Sequence, residues 1–304
     1  MPRREYEDQV RLLVSALPFV DREPCFALKG GTALNLFVRD FPRLSVDIDL
    51  TYLPVAERDA SLTDARAALR RIGNSIESGL GARVRYEENQ ADGLLLQVQR
   101  HRTRIKIEVN PVLRGCVRDP VRRDICAAAE SEFGFASVQM LDPVDLYGGK
   151  ICAALDRQHP RDLYDVMLLL DDGPISRDII DGFLLYLISH SRPIRELLAP
   201  RFKDIRQTYD DQFSGMTREA VSCGRLEQAR VDLLTEIRRG LTPDDCDFLI
   251  SFKRGEPDWP DRFGARIATL PGVRWKLQNI RKMKPDAHAQ AVSGLQDVLA
   301  KHHG

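Results

Sequence analysis

The sequence predicts an α+β protein: a mixed sheet flanked by helices, followed by an all-helical C-terminal region. Residues 44–51 alternate apolar and polar without a break, the period of a strand with one buried face. Further alternating stretches at 83–87, 93–99, 104–112 and 137–141 are interleaved with helical spacing, notably at Leu62, Ala65, Leu69, Ile72, Ile76 and Leu80. Beyond Asp171-Asp172-Gly173-Pro174 only helical spacing remains. These observations suggest a core domain over residues 1–172 and a helical domain over 173–304, with a cleft between them.

In chain order, Val10, Leu13, Val14 and Leu17 mark a leading helix, and Phe26-Ala27-Leu28 a short strand running into Gly30-Gly31. A helical pattern follows from Thr32 to about Arg39, and then the alternating strand. Residues 114–132 read as irregular or weakly helical. Asp142-Pro143 is a strong helix start, with an N-cap acid and proline in the first turn. That helix carries Gly148-Gly149-Lys150, and each internal glycine costs roughly 1 kcal/mol relative to Ala. The pair therefore signals a close approach to the helix backbone. His159-Pro160-Arg161-Asp162-Leu163-Tyr164-Asp165 opens the next helix.

Composition narrows the class. The 304 residues are 43% apolar and 30% charged, with 45 basic and 45 acidic side chains and no net charge. Any attraction to nucleic acid must therefore come from local patches. The six cysteines show no Cys-x-x-Cys spacing, which argues for reduced thiols and against structural zinc. No signal-like core follows the charged N-terminus, and no apolar run approaches a membrane span. The expectation is a soluble cytoplasmic protein without a membrane partner.

The chemistry concentrates in two neighbouring stretches. On the strand, Ser45, Asp47, Asp49 and Thr51 share the polar face. Two carboxylates spaced by two repel each other unless a cation lies between them, and a hard divalent ion such as magnesium suits carboxylate, water and phosphate oxygens. Just upstream, a strand, the Gly30-Gly31 turn and a helix start at Thr32 offer backbone N–H groups and a positive dipole end to a phosphate.

A glycine turn, a helix and a strand bearing Asp-x-Asp resemble the polymerase-β-like nucleotidyltransferase superfamily. Arg43, Ser45, Asp47 and Asp49 resemble its AbiEii/AbiGii-type toxin branch. Lys150 followed by Arg161-Asp162-Leu163-Tyr164-Asp165 is similar to that branch's later motifs, and Trp275-Lys276-Leu277-Gln278-Asn279 to its C-terminal segment. The fold implied is a polymerase-β-like nucleotidyltransferase core. The resemblance also implies a third carboxylate on a later strand. Glu108 fits that place, on the polar face of 104–112 with Arg104, Lys106 and Asn110, although the family often has Asp there. Asp47, Asp49 and Glu108 are then the metal ligands, holding two magnesium ions. Gly30, Gly31, Thr32, Ser45, Lys150 and Asp162 are implied in nucleotide binding, and Lys150 and Asp165 join the catalytic set.

The activity implied is transfer of a nucleotide, commonly a pyrimidine, from a nucleoside triphosphate to the 3′ end of tRNA, with a cognate antitoxin as partner. The sequence itself supports an RNA acceptor only through basic clusters, such as Arg274, Lys276, Arg281, Lys282 and Lys284 around Trp275. A phosphate on Ser45, beside Asp47, would repel nucleotide and silence the enzyme. Two alternatives remain open: a nucleotidyltransferase acting on a small molecule or a protein side chain, and a non-catalytic module that binds RNA or a partner.

Overall fold

The computed structural model describes residues 3–87 and 94–300. The chain divides into two compact units, Met1–Leu146 with Phe213–Ala220, and Tyr147–Gln212 with Val221–Gly304.

In the first unit, among the described residues, one sheet holds seven strands: β1 (Phe26–Lys29), β2 (Asp47–Tyr52), β3 (Arg83–Tyr86), β4 (Leu95–Arg100), β5 (Thr103–Val109), β6 (Val121–Asp124) and β7 (Ser137–Met140). Their order is β3-β4-β5-β2-β1-β7-β6. The sheet is mixed, as expected. Strands β2 and β5 run parallel, as do β1 and β7, and the other neighbours are antiparallel. Helices α1 (Arg3–Val20) and α3 (Arg58–Leu80) pack on the apolar side, where Val84, Leu96, Val98, Ile105, Ile107, Ile48 and Leu50 are buried. That one-sided cover leaves the alternate residues of β5 exposed.

Three local expectations are corrected, and one lies outside the described residues. The strand bearing Asp-x-Asp starts at Asp47 rather than at 44. Its lead-in is held from elsewhere in the unit: Leu44 N–H donates to the Met216 carbonyl, and Arg43 bridges to Thr217. The helix after the glycine turn is α2 (Gly30–Ala33), continuing as a π-helical turn over Leu34–Val38. Residues 114–132 contain a strand, β6, and most of helix α4 (Ala127–Phe133). Strand β6 was hidden because its pattern is nearly all polar, as suits an edge strand of which only Val121 is even half-buried. Gly93, the expected start of β4, lies outside the described residues.

The second unit is helical. It takes up α5 (Pro143–Asp156) from Tyr147 onward and continues through α6 (Pro160–Asp171), α7 (Arg177–Ser189), α8 (Ile194–Leu198) and α9 (Arg206–Gln212). After Val221 come α10 (Cys223–Gly240), α11 (Pro243–Arg254), α12 (Gly264–Thr269), α13 (Pro271–Arg281) and α14 (Pro285–Ala300). Helix α11 starts with a capping box, Thr242 and Asp245 exchanging side-chain bonds with each other's N–H. Among the described residues, no helix is long and apolar enough to cross a membrane.

The glycines of α5 have a packing reason. A Cβ on Gly148 would stand 2.7 Å from the Gly182 carbonyl carbon of α7, and one on Gly149 3.2 Å from the Tyr186 ring. Glycine opposite glycine lets the two backbones touch. At an exposed helical site Gly→Ala would gain about 1 kcal/mol. Here Gly148→Ala is expected to destabilise the protein by about 1–3 kcal/mol instead, read from the midpoint of urea unfolding. A more stable variant would refute the α5–α7 contact.

Candidate active site

The glycine turn and the Asp-x-Asp strand are built against each other. Lys29 pairs with Asp49 across β1 and β2, so the turn after Lys29 reaches the start of the acidic strand. Gly30 has φ of +74°, a left-handed conformation that any side chain would strain. A Cβ there would also collide with the Asp49 carboxylate. On Gly31 it would stand 2.6 Å from the Arg43 guanidinium and 3.0 Å from the Ser45 hydroxyl. Thr32 closes the junction: its hydroxyl donates to the Asp47 carbonyl at 2.5 Å and shares a hydrogen bond with Ser45 at 3.0 Å. Both Thr32 and Ser45 are buried.

The acids on the sheet follow from register. Strands β2 and β5 pair Asp49 with Glu108 and Asp47 with Lys106. Side chains that are partners across a ladder point to the same face, and residues two apart on one strand share a face. Asp47, Asp49, Glu108 and Lys106 therefore occupy one face of two neighbouring strands. The aspartates are half-buried, while Glu108 and Lys106 are exposed. As donors for a cation the carboxylates are chemically apt: oxygen only, anionic, on rigid central strands, as a hard divalent ion requires. Asp49 and Glu108 stand side by side. Among the described residues, no three acids, histidines or cysteines gather closely enough to form a complete ligand set.

Lys150, Asp162 and Asp165 come together in the second unit. The Lys150 ammonium lies 2.8 Å from Asp162 Oδ1 and 2.9 Å from Asp165 Oδ2, with all three side chains almost wholly enclosed. Arg157 Nη2 donates to Asp162 Oδ1 at 3.0 Å, and its Nε pairs with Asp162 Oδ2. Burial alone would raise the Asp162 pKa, but Lys150 and Arg157 outweigh it and hold the carboxyl well below the usual carboxylate range. The first turn of α6 does not depend on Asp162 for its cap, because His159 Nδ1 accepts from the Arg161 N–H.

Two readings change. Ser45 lies in the lead-in to β2, 6% exposed and bonded to Thr32, so a kinase has no access to it. Within the cluster around Trp275, Lys276 points inward. Its ammonium caps the chain after α7, bonding to the carbonyls of His190 at 2.6 Å and Arg192 at 2.5 Å. Burial and then Lys253 push its pKa down to about 8. Arg281 is engaged by the Gly255 carbonyl. Sequence reasoning missed two contributors, Arg157 and Lys106. Lys106 was legible as the residue two before Glu108 on an alternating strand, but only the register sets it beside Asp47.

With this geometry in view, comparison with known proteins is decisive. The profile described as nucleotidyl transferase AbiEii toxin of type IV toxin–antitoxin systems matches residues 11–279. The chain belongs to the AbiEii family. It is a nucleotidyltransferase toxin of a type IV toxin–antitoxin system, and its family implies a nucleoside triphosphate substrate and an antitoxin partner. Among solved structures it is similar to MenT4, a nucleotidyltransferase toxin from Mycobacterium tuberculosis, at TM-score 0.61 and 14% identity, covering 92% of this chain and 94% of that one. At that identity the likeness speaks to the fold alone. A search of curated proteins found no match.

The buried triad of this AbiEii chain has a defined pH signature. Folded Asp162 binds its proton less tightly than an unfolded aspartate of pKa about 3.9. Its contribution is therefore full above about pH 4 and disappears as pH falls further. Asp162→Asn is expected to cost roughly 3–5 kcal/mol at neutral pH. In unfolding midpoints taken from pH 7 to pH 2, the gap to the parent should narrow below about pH 4. A gap independent of pH would refute the assignment.

Proposed function

We propose that this AbiEii toxin transfers a nucleoside monophosphate, preferentially a pyrimidine, from its triphosphate to the 3′ end of tRNA, and that the modified tRNA can no longer be aminoacylated. The observation that supports the reading most is the junction of glycine turn and acidic strand. Backbone N–H groups and a short helix start adjoin Asp47 and Asp49, and Glu108 lies next to Asp49 in register.

In this reading Asp47, Asp49 and Glu108 would supply ligands to two magnesium ions, with substrate phosphate and water completing the shells, and the ions would acidify the acceptor hydroxyl and offset the charge on the leaving group. The residues of the chain do the rest by position. The Gly30-Gly31-Thr32 turn receives the triphosphate through its N–H groups. Glu108 or Asp47 takes the proton from the tRNA 3′ hydroxyl as its oxygen forms the new bond to the α-phosphorus. The bond from the α-phosphorus to the bridging oxygen breaks, and pyrophosphate leaves with that electron pair. Lys150, whose ammonium is held between Asp162 and Asp165 in the second unit, is proposed as a phosphate-binding group on the family resemblance. Ser45 contributes from behind the turn by anchoring Thr32.

Incubating the purified protein with labelled nucleoside triphosphates, magnesium and total tRNA is expected to put label on tRNA 3′ ends, most strongly from CTP or UTP. Absence of label from every tRNA would overturn the acceptor. Asp47→Ala should lower transfer by at least about 100-fold while the unfolding midpoint stays near that of the parent. A variant within tenfold of the parent would overturn the site.

A further inference from the structure

The face of the sheet that bears the catalytic acids does not end with them. Across β3, β4 and β5 the antiparallel register runs Arg85–Gln97–Lys106, and one pair along it runs Arg83–Gln99–Arg104. Lys106 is in turn the neighbour of Asp47 on β2. The opposite side carries the buried Val84, Leu96, Val98, Ile105 and Ile107, so these basic and amide side chains all lie on the open side. Arg83, Arg85, Arg104 and Lys106 are exposed. Among the described residues, none of these four makes a side-chain hydrogen bond or ion pair. Arg85 stands three strand spacings from Asp47, about 14 Å.

Charge on the edge strand β3 alone could be protection against strand-to-strand aggregation. That reason does not extend to Arg104 and Lys106, because β5 is an interior strand flanked on both sides. Asp47, Glu108 and Glu87 lie on the same face, but among the described residues none of them pairs with these cations. Positive side chains on an interior strand that form no ion pair, contiguous with a site for polyanionic substrates, call for an anionic partner. The face has cations but no aromatic side chain in these rows, so it suits phosphates rather than stacked bases. We infer that the open face of β3, β4 and β5 is the track for the acceptor RNA, gripping its phosphate backbone through Arg83, Arg85, Arg104 and Lys106 and leading its 3′ end to Asp47, Asp49 and Glu108. The inference rests on the reading of those acids as a nucleotidyl-transfer centre with an RNA acceptor. Recognition here is independent of sequence.

The test uses the full-length protein and the triple variant Arg83→Gln, Arg85→Gln, Arg104→Gln. The probe is a fluorescent RNA hairpin with a single-stranded 3′ end, titrated over a range of salt concentrations. Each lost phosphate contact should remove about 0.7–0.9 from the slope of log affinity against log salt. The triple variant should therefore lose about 2–3 in slope and bind at least tenfold more weakly near 0.1 M salt. The KM for RNA should rise in parallel, while the KM for nucleotide and the unfolding midpoint stay within twofold and a few degrees. Arg66→Gln with Arg70→Gln, on α3, is the control for general loss of charge and should change little. RNA affinity and slope equal to the parent's would overturn the inference. So would a variant that keeps RNA binding and loses its antitoxin, which would assign the face to a protein partner. Salt-sensitive binding that depends on this face, with no label entering RNA, would keep the track and overturn the transfer reaction. Label entering RNA equally well from the triple variant would do the reverse.

Discussion

The hydrogen bond from the Thr32 hydroxyl to the Asp47 carbonyl fixes two short segments to each other, and the candidate site depends on that junction. The carbonyl belongs to the backbone of the first acid of the strand, so the turn is registered to the strand through the main chain. Each neighbour in the turn meets its counterpart in the strand or its lead-in: Gly30 at Asp49, Gly31 at Arg43 and Ser45. The glycine corner and the acidic strand are thereby fixed to one another by buried atoms. Such preorganisation allows phosphoryl chemistry, in which the protein forms no covalent bond, to proceed by position alone.

The acids fall into two groups that differ in cost. Asp162 and Asp165 are buried, and their charge is tolerable only because Lys150 and Arg157 lie against them. Asp47, Asp49 and Glu108 are half-buried or exposed on an open face, where water already stabilises the charge. Acids of the first group act by holding a lysine in one orientation. On the proposed reading, acids of the second group would exchange water for a cation and a substrate. Lys150 thus gains a fixed direction and gives up the mobility of a surface lysine.

Much of this was legible in the sequence because it is written in short-range patterns. Alternation located β2, β3, β5 and β7 to within a few residues, and three-and-four spacing located α1, α3 and, in the second unit, α7, α10, α11 and α13 but not α8, α9, α12 or α14. The cost of glycine inside a helix announced a close approach at Gly148, though not that Gly182 makes it. Three kinds of feature stayed hidden. A polar edge strand such as β6 carries no alternation. Register between β2 and β5, which are far apart in sequence, is a property of the folded sheet and decides which residue stands beside Asp47. The direction of a long side chain is set by what it caps, and Lys276 turned inward because the carbonyls after α7 lacked partners.

The zero net charge of the chain also acquires a physical meaning. A balanced composition would seem to disfavour a polyanionic acceptor, but charges that are paired at short range contribute little field beyond about one Debye length. Many basic residues are consumed in this way: Arg177 and Arg262 on Asp181 and Asp245, Arg225 on Asp171, Arg71 on Glu23, Arg122 on Asp21. Subtracting such pairs leaves a field set by the side chains that have no partner. Arg83, Arg85, Arg104 and Lys106 are of that kind, and they share one side of one sheet. The same face turns acidic at Asp47, Asp49 and Glu108, so the charge changes sign between Lys106 and its neighbour Asp47, one strand spacing or about 5 Å. An RNA backbone on this face would be attracted to the basic part and repelled by the acidic part unless cations neutralised those carboxylates. On the proposed reading, docking of an RNA end would be coupled to cation binding at those acids, without any moving part in the protein.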